Sequence, residues 1–324
     1  MDLLERIGRT PLLRIEGVFV KLECSNPGGS VKDRIARFML EHAMRRRELE
    51  TGDVIVEATS GNTGIALALI APRLGCRAMI FMPEHMSPER RRMIETLGAE
   101  VRLTPRAESF AGAVARRDEF RGRTGYYVPD QFGNPDNTRC HRETTGAELR
   151  EQLRSVGCRR LDWFVAGVGT GGTLMGVGEA LHEQLAGVRL AAVEPEESAV
   201  MSGGPPGDHG IMGIGDGFIP ALVRMESIDR VERVNSAEAR AAALRIRGMH
   251  GFCVGVSSGA NFAAAQRLAA EGAIVATVWP DSADRYGSVG LLDSSSADVH
   301  CALREECLHR TARMLPKPGD ASQS

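Results

Sequence analysis

The sequence predicts an α/β fold with mainly parallel sheets flanked by helices. Three observations carry that expectation. Short β-rich runs alternate with longer helical patterns along most of the 324 residues, the order that places crossover helices on sheet faces. Glycine-polar turns stand where strands give way to helices. The chain is also long enough for two domains of ordinary size and a large core.

Taken in order, the expected strands are Val18–Leu22, Asp53–Glu57, Ala78–Met82, Glu100–Leu103, Trp163–Gly167, Leu190–Val193 and Ala273–Trp279, each a run of β-formers bounded by turn residues. The expected helices are Lys32–Arg47, Asn62–Leu74, Pro88–Leu97, Ser109–Arg121, Thr144–Leu153, Thr173–Gln184 and Ser257–Ala270. Asn134-Pro135-Asp136-Asn137 breaks this pattern before a new helix and suggests a boundary within 135–145. We therefore expect an N-terminal domain over 1–140, whose residues 36–140 form a mobile part, with the first strands crossing to the other domain. A C-terminal domain follows over 141–295, then a tail over 296–324. The Gly/Pro-rich segment 203–217 is too long for a plain connector, so a functional loop is expected. From Asp293 onward we expect a surface helix and a frayed end.

Composition excludes several classes of function. Charged residues make up 25% and the net charge is -2, so no polyanion partner is implied. The start, Met1 to Pro11, carries charges where a secretory signal needs an apolar run, and no apolar stretch reaches the roughly 20 residues of a membrane span. Seven scattered cysteines, odd in number and without a CxxC pair, suggest a reduced, cytoplasmic setting. The basic runs Arg45–Arg47 and Arg90–Arg92 suit solvated helix faces. His300, Cys301, Cys307 and His309 match no zinc spacing, so no metal is expected.

Three loops carry the chemistry. In Asn26-Pro27-Gly28-Gly29-Ser30-Val31-Lys32-Asp33-Arg34 a lysine stands just inside a helix start, after glycines that let backbone approach a ligand. A lysine desolvated there can attack a carbonyl and form a Schiff base. Thr59 to Gly64 offers two hydroxyls, an amide and backbone N–H groups at a helix N-terminus, a site for a carboxylate-sized anion. Gly167-x-Gly169-x-x-Gly172 follows a strand and opens a helix, with Glu194 ending the next strand. That loop alone suits a dinucleotide or, with Thr170 and Thr173, a terminal phosphate monoester. Lys32 tips the reading toward pyridoxal phosphate.

With these blocks in hand, the chain resembles the cysteine synthase (O-acetylserine sulfhydrylase) family of fold-type II pyridoxal-phosphate enzymes, which includes cystathionine β-synthase. The likeness runs from Ile7 to Tyr286 through NPGGSVKDR, TSGNTGIAL, MPEHMSPERRRMIETLGAEVRLTP, DQFGNPDN, GVGTGGTLMGV, AVEP, HGIMGIGDGFIP and GVSSGA. It implies two domains, each with a mainly parallel sheet, and an active site in the cleft between them. By that resemblance Lys32 holds the cofactor as a Schiff base and Asn62 bonds its 3′ oxygen. Gly169, Thr170, Gly171, Gly172 and Thr173 cup its phosphate, and Ser282 partners the pyridine nitrogen. Ser60, Thr63 and Gln131 hold the substrate carboxylate, with Thr59 and Gly61 contributing.

A hydroxyl at Ser282 leaves the ring nitrogen neutral, which suits β-elimination; Asp281, one position away, is a departure that bears on those electronics. The link from Arg14 to Val18 is shorter than the family's, and Cys24 and Ser25 replace a bulkier residue. Asp130-Gln131 is similar to B-type cysteine synthases and cystathionine synthases, whereas Gly215-Asp216-Gly217-Phe218 is similar to O-acetylserine enzymes.

The expected reaction is β-replacement on O-acetyl-L-serine by sulfide, giving L-cysteine and acetate. Cystathionine β-synthase activity with homocysteine is the nearest alternative and a serine or threonine dehydratase a further one. From other classes come a nicotinamide-dependent oxidoreductase built on Gly167–Gly172 and a catalytically idle homologue that serves as a binding partner. The resemblance also implies a homodimer and a partner in the C-terminal peptide of a serine acetyltransferase.

Overall fold

The structure, a computed structural model, describes residues 2–59, 61–185, 187–287 and 291. Its strands are β1 (Leu12–Ile15), β2 (Val18–Lys21), β3 (Val54–Ala58), β4 (Arg77–Pro83), β5 (Glu100–Thr104), β6 (Tyr126–Tyr127), β7 (Trp163–Gly167), β8 (Arg189–Pro195), β9 (Arg230–Val234) and β10 (Val275–Val278). They form a six-stranded sheet in the order β1-β2-β10-β7-β8-β9 and a four-stranded sheet in the order β5-β4-β3-β6. Every pairing is parallel except β1 with β2. Those two join through the two-residue turn Glu16-Gly17, both at positive φ, whose twist matches that of the flanking strands. The short Arg14–Val18 link is thus a tight hairpin.

The helices are α1 (Lys32–Arg45), α2 (Asn62–Ile70), α3 (Pro88–Thr96), α4 (Ser109–Asp118), α5 (Pro135–Cys140), α6 (Ala147–Ser155), α7 (Gly172–His182), α8 (Ser236–His250) and α9 (Val256–Ala270). Each sheet is covered on both faces, which is why the inner strands are mainly apolar. On the larger sheet, Val20, Val165 and Val193 pack with Ala243 and Phe262 of α8 and α9, while Phe164 and Leu190 pack with Leu149 and Leu174 of α6 and α7. On the smaller sheet, Ile55 and Ile80 meet α1 and α2, and Val56 and Phe81 meet Ala113 of α4.

All the expected strands and helices are present, with ends shifted by a few residues. The differences are informative. Asn134-Pro135 does not interrupt the pattern but starts α5: the Asn134 side chain accepts from the Asp136 amide and Pro135 takes the first turn. The chain then runs through one π-helical turn, His141–Gly146, into α6, so the helix expected from Thr144 begins earlier. Gly176 of α7 allows this, because a Cβ there would stand 2.2 Å from the Thr138 carbonyl oxygen. Strand β9 (RVERV) and helix α8 (SAEARAAALRIRGMH) went unassigned from the sequence; charges dilute the apolar pattern of both. The expected tail helix and the His300–His309 cluster lie outside the described residues.

Candidate active site

Four strands deliver their C-terminal ends to one cleft, the usual place for ligands in open parallel sheets. The loop after β2 leads to Lys32, β3 runs into Thr59 and α2, β7 runs into the glycine loop and α7, and β10 ends at Pro280. The cleft encloses about 820 Å³ of empty space, part of it open to solvent. Lys32, Thr59, Asn62, Thr63, Gln131, Gly169, Thr170, Gly171 and Thr173 all line it, so residues 141 positions apart in sequence share one cavity.

Among the described residues, Lys32 Nζ has no hydrogen-bond partner. Burial pushes its ammonium down to about 8, although the charges of Asp216 and Asp281 oppose the shift. The other described lysine, Lys21, is fully buried and committed: its Nζ donates to the Thr10 carbonyl at 2.6 Å and to Glu148 at 2.8 Å. One lysine is thus structural and the other is available to a ligand.

The glycine loop is a cradle with no room for side chains. A Cβ on Gly169 would lie 2.5 Å from the Gly213 carbonyl oxygen, and one on Gly172 would lie 1.9 Å from Asn137 Oδ1. Gly171 has a φ of 85°, which turns the loop into α7. Amides at the N-terminus of α7, with the Thr170 and Thr173 hydroxyls, suit a phosphate dianion. The sequence did not single out the groups that hold these hydroxyls. Asn137 Nδ2 donates to Thr170 Oγ1 at 3.0 Å, and His141 Nε2 lies 3.2 Å from Thr173 Oγ1. Burial, helped by the charge of Lys32, pushes His141 down to about 3, so its imidazole is neutral. Because both residues fall in the stretch first read as a boundary, no local signal exposed them.

On the opposite wall the Thr63 hydroxyl donates to Gln131 Oε1 at 2.6 Å, and Gln131 Nε2 donates to the Ala58 carbonyl at 3.2 Å. Gln131 follows Asp130, whose φ of 53° turns the chain sharply inward. That turn is held by the buried Glu57–Arg117 pair, since Glu57 accepts from the Gln131 amide at 3.0 Å while Arg117 reaches Asp130 at 3.2 Å. Gly61 caps α2 and does not line the cavity itself, and neither does Gly172. Ser60 lies outside the described residues.

Two residues change the expected picture. Arg90 is not on a solvated face: it is 2% exposed, lines the cleft, and stacks over the Tyr286 ring at 4.8 Å. Its position at the first buried turn of α3, after the Ser87 cap, decides this, and the run of arginines concealed it. Asp216 of the 203–217 segment lines the same cleft, as do Gly213 and Ile214, so that long loop forms a wall of the site. Ser282, by contrast, does not line the cleft. Its Oγ donates to Asp284 at 2.5 Å and accepts from Arg285 at 3.0 Å.

The sequence matches the family of pyridoxal-phosphate dependent enzymes over residues 3–279. A cysteine synthase of Staphylococcus aureus is 44% identical over 296 residues, covering 88% of this chain and 94% of that protein. Among solved structures, a hydrogen sulfide-producing enzyme of Fusobacterium nucleatum superimposes with a TM-score of 0.85 at 38% identity, covering 89% of this chain and 90% of the other. An O-acetylserine-dependent cystathionine β-synthase of Helicobacter pylori gives 0.84 at 37% identity, covering 90% and 98%.

Proposed function

The chain belongs to the pyridoxal-phosphate dependent enzyme family, and from that premise we propose a cysteine synthase, which takes O-acetyl-L-serine and sulfide to L-cysteine and acetate. The observation that carries the reading is Lys32: a desolvated amine, unpartnered among the described residues, in a cleft it shares with an anion cradle and a second polar wall. The cradle fits a phosphate monoester because Gly169, Thr170, Gly171 and Thr173 at the N-terminus of α7 line the same cavity as Lys32 and offer it amides and hydroxyls. Lys32 would hold the cofactor through its aldehyde, and the cofactor would supply an electron sink that makes the α-proton of a substrate acidic once the substrate amine has taken the place of Lys32.

The protein's own groups do the rest. Gly169 to Thr173 hold the phosphate with amides and hydroxyls, and neutral His141 and Asn137 fix the two threonines. Asn62, which lines the cleft, would donate to the cofactor's 3′ oxygen. The substrate carboxylate sits on the N-terminus of α2, taken by Thr59, Ser60, Gly61, Thr63 and Gln131. Lys32 would take the substrate α-proton on its Nζ, the free amine that its burial favours. For the ring nitrogen we keep Ser282, whose hydroxyl must rotate away from Asp284 to serve. A partner there without charge favours loss of a β-substituent over a persistent carbanion. The smaller sheet, which carries α2, closes over the carboxylate and excludes water. Among the described residues no helix is long and apolar enough to cross a membrane. Two further parts of the reading rest on the resemblance alone, a homodimer and docking of the C-terminal peptide of a serine acetyltransferase, while a cytoplasmic setting rests on the scattered cysteines.

The test is a visible absorption spectrum of the purified protein, followed by turnover with O-acetylserine, O-phosphoserine and serine, each against sulfide and homocysteine. A band bleached by borohydride together with the highest kcat/KM for O-acetylserine plus sulfide is the expected result. Faster reaction with homocysteine makes it a cystathionine synthase instead. A colourless protein that binds NAD overturns the reading.

A further inference from the structure

Asn62 is gripped at both ends of its amide. Nδ2 donates to Asp281 Oδ2 at 2.7 Å, and Oδ1 accepts from Arg285 Nη1 at 2.8 Å. A carboxylate on one side and a guanidinium on the other leave only one orientation of that amide, because the first cannot donate and the second cannot accept. The two grips come from the segment after β10 of the larger sheet, whereas Asn62 starts α2 beside the smaller sheet. They are themselves anchored. Tyr286 Oη donates to Asp281 Oδ2 at 2.5 Å, and Arg285 Nη2 donates to the Gly28 carbonyl at 2.9 Å. Arg285 passes through space that only a glycine leaves, since a Cβ on Gly29 would stand 2.2 Å from Nη2.

We infer that Asp281 and Arg285 are positioning residues that lock the Asn62 amide, so that the second N–H of Nδ2 stays directed into the cleft. An asparagine amide has two N–H bonds. Asp281 takes one, and Asn62 lines the cavity that receives the other. Asp281 does not line that cavity, and its Oδ1 packs toward Gly255, where a Cβ would lie 2.1 Å away. Its contact with a bound ligand therefore runs through Asn62, beside the direct effect of its charge on the Lys32 ammonium. The inference rests on the proposed function, in which that N–H meets the cofactor's 3′ oxygen. A donor lost from an oxyanion leaves the oxygen more basic, so the protonation midpoint of the bound cofactor should rise.

The experiment follows the visible band of the holoenzyme against pH in Asp281→Asn, Asn62→Ala, the double variant, and Tyr286→Phe. Asn62→Ala should raise the midpoint. Asp281→Asn also removes a charge that holds the Lys32 ammonium up, so it should carry that direct downward effect in either background and add an upward shift through the amide only while Asn62 is present. Tyr286→Phe, which removes the other donor to Asp281, should leave it in place. If Asp281→Asn fails to fold, Arg285→Gln gives the same reading, with an upward shift that vanishes in the Asn62→Ala background. An Asp281→Asn shift of the same size and sign with and without Asn62 would leave nothing passing through the amide and overturn the inference, and a lower Tm beside such equal shifts is what a structural contact produces. A parent protein without any visible band sinks the proposed function and this inference with it, whereas a normal parent beside unshifted variants sinks this inference alone.

Discussion

The Thr63 hydroxyl donates to Gln131 Oε1 at 2.6 Å, which joins the first turn of α2 to the loop after β6 before any substrate arrives. Both side chains are nearly inaccessible, at 2% and 4% exposure. Both donors are already engaged, the hydroxyl with Gln131 and the Gln131 amide with the Ala58 carbonyl, so an anion bound there would have to displace these bonds.

Thr63→Ala and Gln131→Ala should each lower kcat/KM for O-acetylserine while leaving cofactor content unchanged. Loss of a donor to a partly buried anion costs about 1–3 kcal/mol. Because the two side chains bond each other, the double variant should lose less than the sum of the singles. Steady-state kinetics and cofactor absorbance measure this, and parental turnover in both singles would place the carboxylate elsewhere.

Lys32→Ala should abolish β-replacement and leave the cofactor held only noncovalently. Borohydride reduction followed by peptide mapping should label Lys32. A label on Lys21 would mean that its bonds to Thr10 and Glu148 open in solution.

The apo-protein should capture pyridoxal phosphate faster as pH rises. Only the neutral amine attacks the aldehyde, and burial holds the Lys32 ammonium down at about 8 instead of the ordinary 10.5. The free-amine fraction, and with it the initial rate, should grow about fivefold from pH 7 to 8 and level off beyond about 9. Stopped-flow growth of the visible band tests it, and a rate still climbing at pH 10 would show that the amine is solvated.

O-acetylserine should be preferred to O-phosphoserine. No lysine or arginine occurs between His209 and Pro220, and Asp216 on that wall repels a dianionic leaving group. Arg90 on the same cleft pulls the other way. Asp216→Asn should therefore narrow the preference and Arg90→Gln should widen it. Competition between the two esters decides, and a higher kcat/KM for O-phosphoserine in the parent would mean that Arg90 prevails.

Much of the fold was legible because both sheets are mainly parallel and helix-covered, so strands such as Val54–Ala58, apolar but for Glu57, and Trp163–Gly167 stand out. Strand β9 and helix α8 did not, since their solvent-facing charges blur the period. Local chemistry likewise exposed the site: a lysine after glycines, and glycine-hydroxyl turns at helix starts, are patterns set by backbone geometry within a few residues. What the sequence by itself determined was most of the groups that line the cleft, from Lys32 and Thr59 to Thr173. Which groups hold those groups, and at which charge, only the tertiary structure decided. Asn137 and His141 reach the phosphate loop, Arg90 is drawn out of a basic run into the cleft, and Asp281 with Arg285 clamps Asn62 across 219 and 223 positions of sequence. The physical reason is range: a turn is selected by neighbouring dihedrals, but a buried polar side chain is selected by a partner that arrives only when distant strands pack together.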